Sequence, residues 1–117
     1  MKYYAGIGSR KTPNSVLRTM RVISAKLAGN GYILRSGGAL GADIAFEAGV
    51  TKYSSKEIFY VNDATEQSMI LAAPLHPNWK NLSHYVKQLM GRNMMQILGK
   101  DLKTPVEFVI CWTPDGC

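Results

Sequence analysis

Two glycine-bearing segments carry the residue types that bind phosphate. The first is Gly6-Ile7-Gly8-Ser9-Arg10 and the second is Arg35-Ser36-Gly37-Gly38-Ala39-Leu40-Gly41-Ala42-Asp43. Each follows a short apolar run and precedes a helical pattern. In that arrangement a tight turn presents open backbone N–H groups and a helix dipole to an anion. Gly6 and Gly8 permit the turn and a close backbone approach, Ser9 offers a hydroxyl, and Arg10 a forked guanidinium that matches phosphate. Ser36, Gly37, Gly38 and Gly41 offer a second cradle, with Arg35 leading into it. Glycines at strand ends also serve ordinary turns. The pair of segments together, with Ser-Arg attached to the first, points to a phosphate-bearing ligand.

These residues need elements to hold them. Met1 to Ile7 reads as a strand, followed by Thr12 as N-cap and Pro13 at the first helical position. Val16, Met20, Ile23 and Leu27 then recur on one helical face until Gly29-Asn30-Gly31 ends the run. Tyr32 to Arg35 is a brief second strand, Leu40 to Ala48 a second helix closed by Gly49, and Ile58 to Val61 a third strand. Thr65 to Leu71 suits a short helix before Pro74 and Pro77. A longer helix over 82–98 carries Leu82, Val86, Leu89, Met90, Met94 and Ile97 as its apolar stripe, which makes the methionines core filler. Val106 to Trp112 is a last strand. The alternation implies an α/β fold: a mainly parallel sheet with helices on both faces, both glycine segments emerging at its carboxyl edge.

Composition bounds the rest. A chain of 117 residues with 46% hydrophobic content suits one domain, 1–117. The net charge of +6 favours nucleotides, nucleic acids or other anions, although the basic residues are scattered and also suit a plain solvated surface. No apolar run approaches 18 residues and no charged-then-apolar leader is present, so we expect no membrane span, no signal peptide and a cytoplasmic location. Cys111 and Cys117 give neither a disulfide framework nor zinc spacing, and Cys111 reads as a buried strand residue. His76 and His84 stand eight apart with no other ligand at metal spacing, so no metal and no cofactor are expected.

Gly8-Ser9-Arg10 and the pattern Ser36-Gly37-x-Ala39-x-Gly41-x-Asp43, with Ala45 and Gly49 beyond, resemble the Rossmann-like domain of the DNA-processing protein A (DprA/Smf) family. That family sits within the SLOG superfamily, which also includes LOG-type phosphoribohydrolases. Tyr4 to Pro13, Phe46-Glu47, His76-Pro77-x-Trp79, Arg92-Asn93 and Cys111-Trp112-Thr113 look like the short single-domain branch often carried by bacteriophages, for which the location would be the host cytoplasm. The resemblance implies a three-layer Rossmann-like sandwich whose Gly8-Ser9-Arg10 turn and 36–43 loop contact phosphates of a nucleotide or of single-stranded DNA. Members of this branch usually continue beyond the loop 112–116 into a second glycine motif, which implies a domain truncated at its C-terminal end. The hydrolases' Pro-Gly-Gly-x-Gly-Thr segment has no counterpart from Val50 onward.

Asp43 and Glu47, one helical turn apart, are the candidates for acid–base work. A carboxylate there suits a ribose hydroxyl or a metal-bound water, and Asp43 equally suits the first turn of a helix as a stabilising charge. Trp112, with Thr113 after it, ends the last strand where an indole would stack on a nucleobase. Trp79 reads as packing, and Arg92-Asn93 as a wet helix edge or a reach toward a ligand or partner subunit. Three functions follow: binding of a nucleotide or nucleotide-derived small molecule, DprA-like single-stranded DNA binding, and hydrolysis of a nucleotide bond. A last strand without a covering helix also suits a homo-oligomer.

Overall fold

The computed structural model describes residues 1–115; Gly116 and Cys117, the end of the loop in the family resemblance, lie outside them. Strands β1 (Lys2–Gly8), β2 (Tyr32–Ser36), β3 (Lys56–Ile58) and β4 (Phe108–Trp112) form a single parallel sheet in the order β3-β2-β1-β4. Helices α1 (Asn14–Gly29) and α2 (Ala42–Gly49) join the first three strands and pack against each other. The chain then returns to the opposite edge of the sheet through α3 (Glu66–Ala72) and α4 (His84–Leu98), also mutually packed. Right-handed crossovers require this: a step in one direction lays its helices on one face, and the return step lays them on the other. The result is an α/β, Rossmann-like fold with its topological switch between β1 and β4.

Strand alternation sorts the side chains between the two faces. Tyr4, paired with Leu34, enters the α1/α2 layer with Met20, Ala42, Phe46 and Val50. Gly6 and Gly8 lie on the same face. A Cβ on Gly6 would stand 2.7 Å from the Phe46 ring, and one on Gly8 2.5 Å from the Ala42 methyl. Both glycines therefore bring α2 down onto the sheet. Tyr3 and Arg35 take the other face, where the Arg35 guanidinium lies 4.0 Å from the centre of the Tyr3 ring.

Several boundaries differ from the sequence reading. Pro13, not Thr12, is the N-cap of α1: its carbonyl accepts from Leu17 N–H at 2.9 Å, while the Thr12 hydroxyl donates to the Ser9 carbonyl at 2.5 Å. The third strand lies earlier than expected, because Leu34 to Ser36 pair with Lys56 to Ile58. Phe59 N–H still bonds to the Ser36 carbonyl at 2.8 Å, after which Val61–Asp63 form a 3₁₀ turn. The buried face of α4 is rotated to Gly91, Met95 and Gln96, since Gly91 lets α3 approach at Ser68 and Met69. Cys111 is exposed on β4, which corrects its reading as a buried strand residue. Trp79 is only half-buried, beside the His76 ring.

No helix among the described residues is long and apolar enough to cross a membrane.

Candidate functional site

The carboxyl edge of the sheet brings three chain segments together. Gly8 at the end of β1 pairs with Trp112 at the end of β4, and Ser9 N–H donates to the Trp112 carbonyl at 3.4 Å. The loop after β1 is tightened by its own serine, whose hydroxyl oxygen accepts from Lys11 N–H at 3.0 Å. Arg10 projects from this turn as an exposed side chain.

The loop after β2 meets it at Gly41. This residue is the N-cap of α2 at φ +84°, a conformation that L side chains rarely adopt. A Cβ there would lie 2.7 Å from the Ser9 carbonyl oxygen and 2.8 Å from Arg10 Cα. The two glycine segments are thus in backbone contact, with Arg10 beside the start of α2. No side chain caps that start through its N-cap residue, so the helix dipole faces the same edge.

Behind the loops, each candidate carboxylate is engaged. The Ser36 hydroxyl is buried and donates to Glu47 Oε2 at 2.5 Å, while its oxygen accepts from Gly38 N–H at 3.3 Å. Asp43 Oδ2 accepts from Ala39 N–H at 3.1 Å, and Oδ1 is buried without a partner. Burial pushes the Asp43 carboxyl above the ordinary 3.8, opposed by the Ala39 N–H and the Arg92 charge and reinforced by Glu47. Burial likewise holds Arg92 below its ordinary value, opposed by Asp43. As it stands, neither carboxylate is a free general base: Glu47 ties α2 to β2, and Asp43 holds the loop, with one oxygen left over.

Two further residues belong to this edge: Arg92, for which the sequence left a wet helix edge and a reach toward a ligand or partner both open, and Tyr60, read as part of the third strand. Arg92 of α4 donates to the Gly37 carbonyl at 2.7 Å and to the Phe59 carbonyl at 3.4 Å, so it is no wet helix edge. Its signal was the neighbouring Gly91, a mid-helix glycine marking the packed face. Tyr60 lies beyond β3 with its ring 2.8 Å from where a Gly38 Cβ would stand, and more than half of the residue is exposed.

The structure also removes residues from the site. Arg35 is 2% exposed and turned to the opposite face, where Nε bonds to Glu57 Oε1 at 2.9 Å and Nη1 to the Thr104 carbonyl at 2.5 Å. It is a strand-to-loop clamp, because position 35 alternates away from Ser36. Gly6 lies under Phe46 and faces no open space. Trp112 holds its place at the edge, but its ring packs against the core cluster, and Thr113 follows half-buried. Among the described residues no group of three or more His, Cys, Asp or Glu side chains is placed to hold a metal ion.

A concavity of about 390 Å³ lined by Glu57, Phe59, Asp63 and Met95 sits at the β3 edge, away from Ser9 and Arg10. No known family's model matches the chain, and comparison with curated proteins and with solved structures likewise gives no match.

Proposed function

We propose that the chain binds a nucleotide or nucleotide-derived ligand by its phosphate, at the edge formed by the Ser9-Arg10 turn and the loop 37–41. The observation that carries this reading is the contact of the two loops at Gly41, which sets Arg10 beside the uncapped start of α2. An exposed arginine whose backbone lies beside a helix N-terminus favours a compact anion. The exposed Tyr60 ring offers a face for a base. The resemblance of these segments to DprA/SLOG proteins supports the same assignment. Hydrolysis ranks last, since both carboxylates already serve the fold.

Single-stranded DNA is the second reading, favoured by the exposed run of Arg10, Lys11 and Arg18 along the first loop and α1. Calorimetric titration with a nucleoside, its 5′-monophosphate and a short oligonucleotide tests both. We expect the monophosphate to bind, the nucleoside to bind far more weakly, and Arg10→Ala to lower phosphate affinity by about tenfold or more without unfolding the domain. Tight oligonucleotide binding with a steep salt dependence would shift the assignment to DNA. Equal binding of nucleoside and monophosphate, or an unchanged Arg10→Ala, would remove the phosphate site.

A further inference from the structure

We infer that the groove between α1 and α2 docks an acidic amphipathic helix of a partner protein. The groove, about 300 Å³, has Leu17, Arg18 and Arg21 on one side and Leu40, Ile44 and Ala48 on the other. Ile44 and Ala48, one turn apart on α2, and Leu40 from the turn before it line this side as one aliphatic ridge. Leu40 is 69% and Ile44 45% exposed, a large apolar surface for two adjacent side chains on a chain of this size. Arg18 and Arg21, one turn apart on α1, are both exposed.

Among the described residues no ion pair neutralises them. The 16 residues of α1 contain no Asp or Glu. The two carboxylates of α2 turn inward, Asp43 to the Ala39 N–H and Glu47 to the Ser36 hydroxyl. Among the described residues the ion pair found is Arg35 with Glu57, on the far side of the sheet.

An aliphatic ridge beside a cationic wall is complementary to a helix that has apolar residues at i, i+4 and i+7 and carboxylates along one flank. A second copy of this chain would bring further arginines and no carboxylate of the groove to pair with them. A nucleic acid would leave Leu40 and Ile44 uncovered and would find no aromatic ring in the groove on which to stack. The inference does not depend on any ligand at the glycine loops.

The test is an NMR titration of the ¹⁵N-labelled full chain with two hydrocarbon-stapled peptides of identical leucine spacing, one flanked by Glu and the other by Lys. Shifts confined to the stretches 17–22 and 40–48 with the Glu peptide, and none with the Lys peptide, are expected. The double variant R18E/R21E is expected to weaken the Glu peptide by about tenfold or more and to gain binding of the Lys peptide. Both positions are exposed, and Ile44→Asp serves as an independent variant that abolishes binding through the ridge. The inference fails if neither peptide shifts these residues, if both peptides do so equally, or if the changes map elsewhere. It also fails if the free chain is a dimer that Ile44→Asp converts to a monomer.

Discussion

Arg92 Nη1 donates to the Gly37 carbonyl at 2.7 Å, so a helix on one side of the sheet holds the loop that leads to a helix on the other. A Cβ on Gly37 would lie 2.7 Å from the same nitrogen. Replacing Arg92 with Leu removes the donor and leaves Asp43 without its cationic neighbour. We expect a loss of about 1–3 kcal/mol in urea unfolding, with faster hydrogen exchange at Gly38 and Ala39. An unaltered exchange rate there would show that the loop stands without Arg92.

Gly41→Ala should be more severe than an ordinary loop substitution. The residue sits at φ +84°, and its missing side chain is where the Ser9 carbonyl passes. A loss of about 2 kcal/mol or more is expected from backbone strain, together with weaker phosphate binding as the two loops part. Denaturation midpoints and a monophosphate titration on the same sample separate the two effects.

Tyr4 offers a gain. It is fully buried, its hydroxyl has no partner, and burial pushes that hydroxyl up to about 12. Tyr4→Phe keeps the ring stacked on Phe108 and removes the unsatisfied group. Stability should hold or rise by up to about 1 kcal/mol, and a clear loss would show that the hydroxyl is satisfied in solution.

The Asp43 carboxyl gives a pH signature. Burial raises it above 3.8, so the folded chain holds the proton more tightly than the unfolded chain does. Its contribution is therefore fully present below 3.8 and is lost as pH rises through the folded value. Asp43→Asn abolishes that slope. Measured by urea unfolding from acid to neutral pH, the variant should gain on the parent across the window and then run parallel to it. Parallel curves throughout would mean that the carboxyl titrates normally.

Much of this architecture was legible because it rests on periodicity. The spacing of Val16, Met20, Ile23 and Leu27 found α1, and the apolar run Tyr32 to Leu34 found β2. The site was legible only as loops. Strand parity, unread at Arg35, sends that guanidinium to the wrong face for a ligand. Gly6 and Gly8 looked like room for phosphate and are room for Phe46 and Ala42, because helix packing asks the same absence of a side chain that close ligand approach does. Tyr60 was unreadable and Arg92 was left between two readings for another reason: they reach the edge from elements far along the chain, and only the tertiary fold sets them beside Gly37 and Gly38.

The strand order also sets the sequence of assembly. β1, β2 and β3 are neighbours in chain order as in space, whereas β4 pairs with β1 through partners such as Tyr4 and Phe108, about a hundred residues apart. Closing that long loop is entropically the slowest step, so the sheet should grow from its local half and take β4 last. The Ser9-to-Trp112 bond forms only then. A nascent chain would hold both glycine turns well before β4 closes the edge beside them.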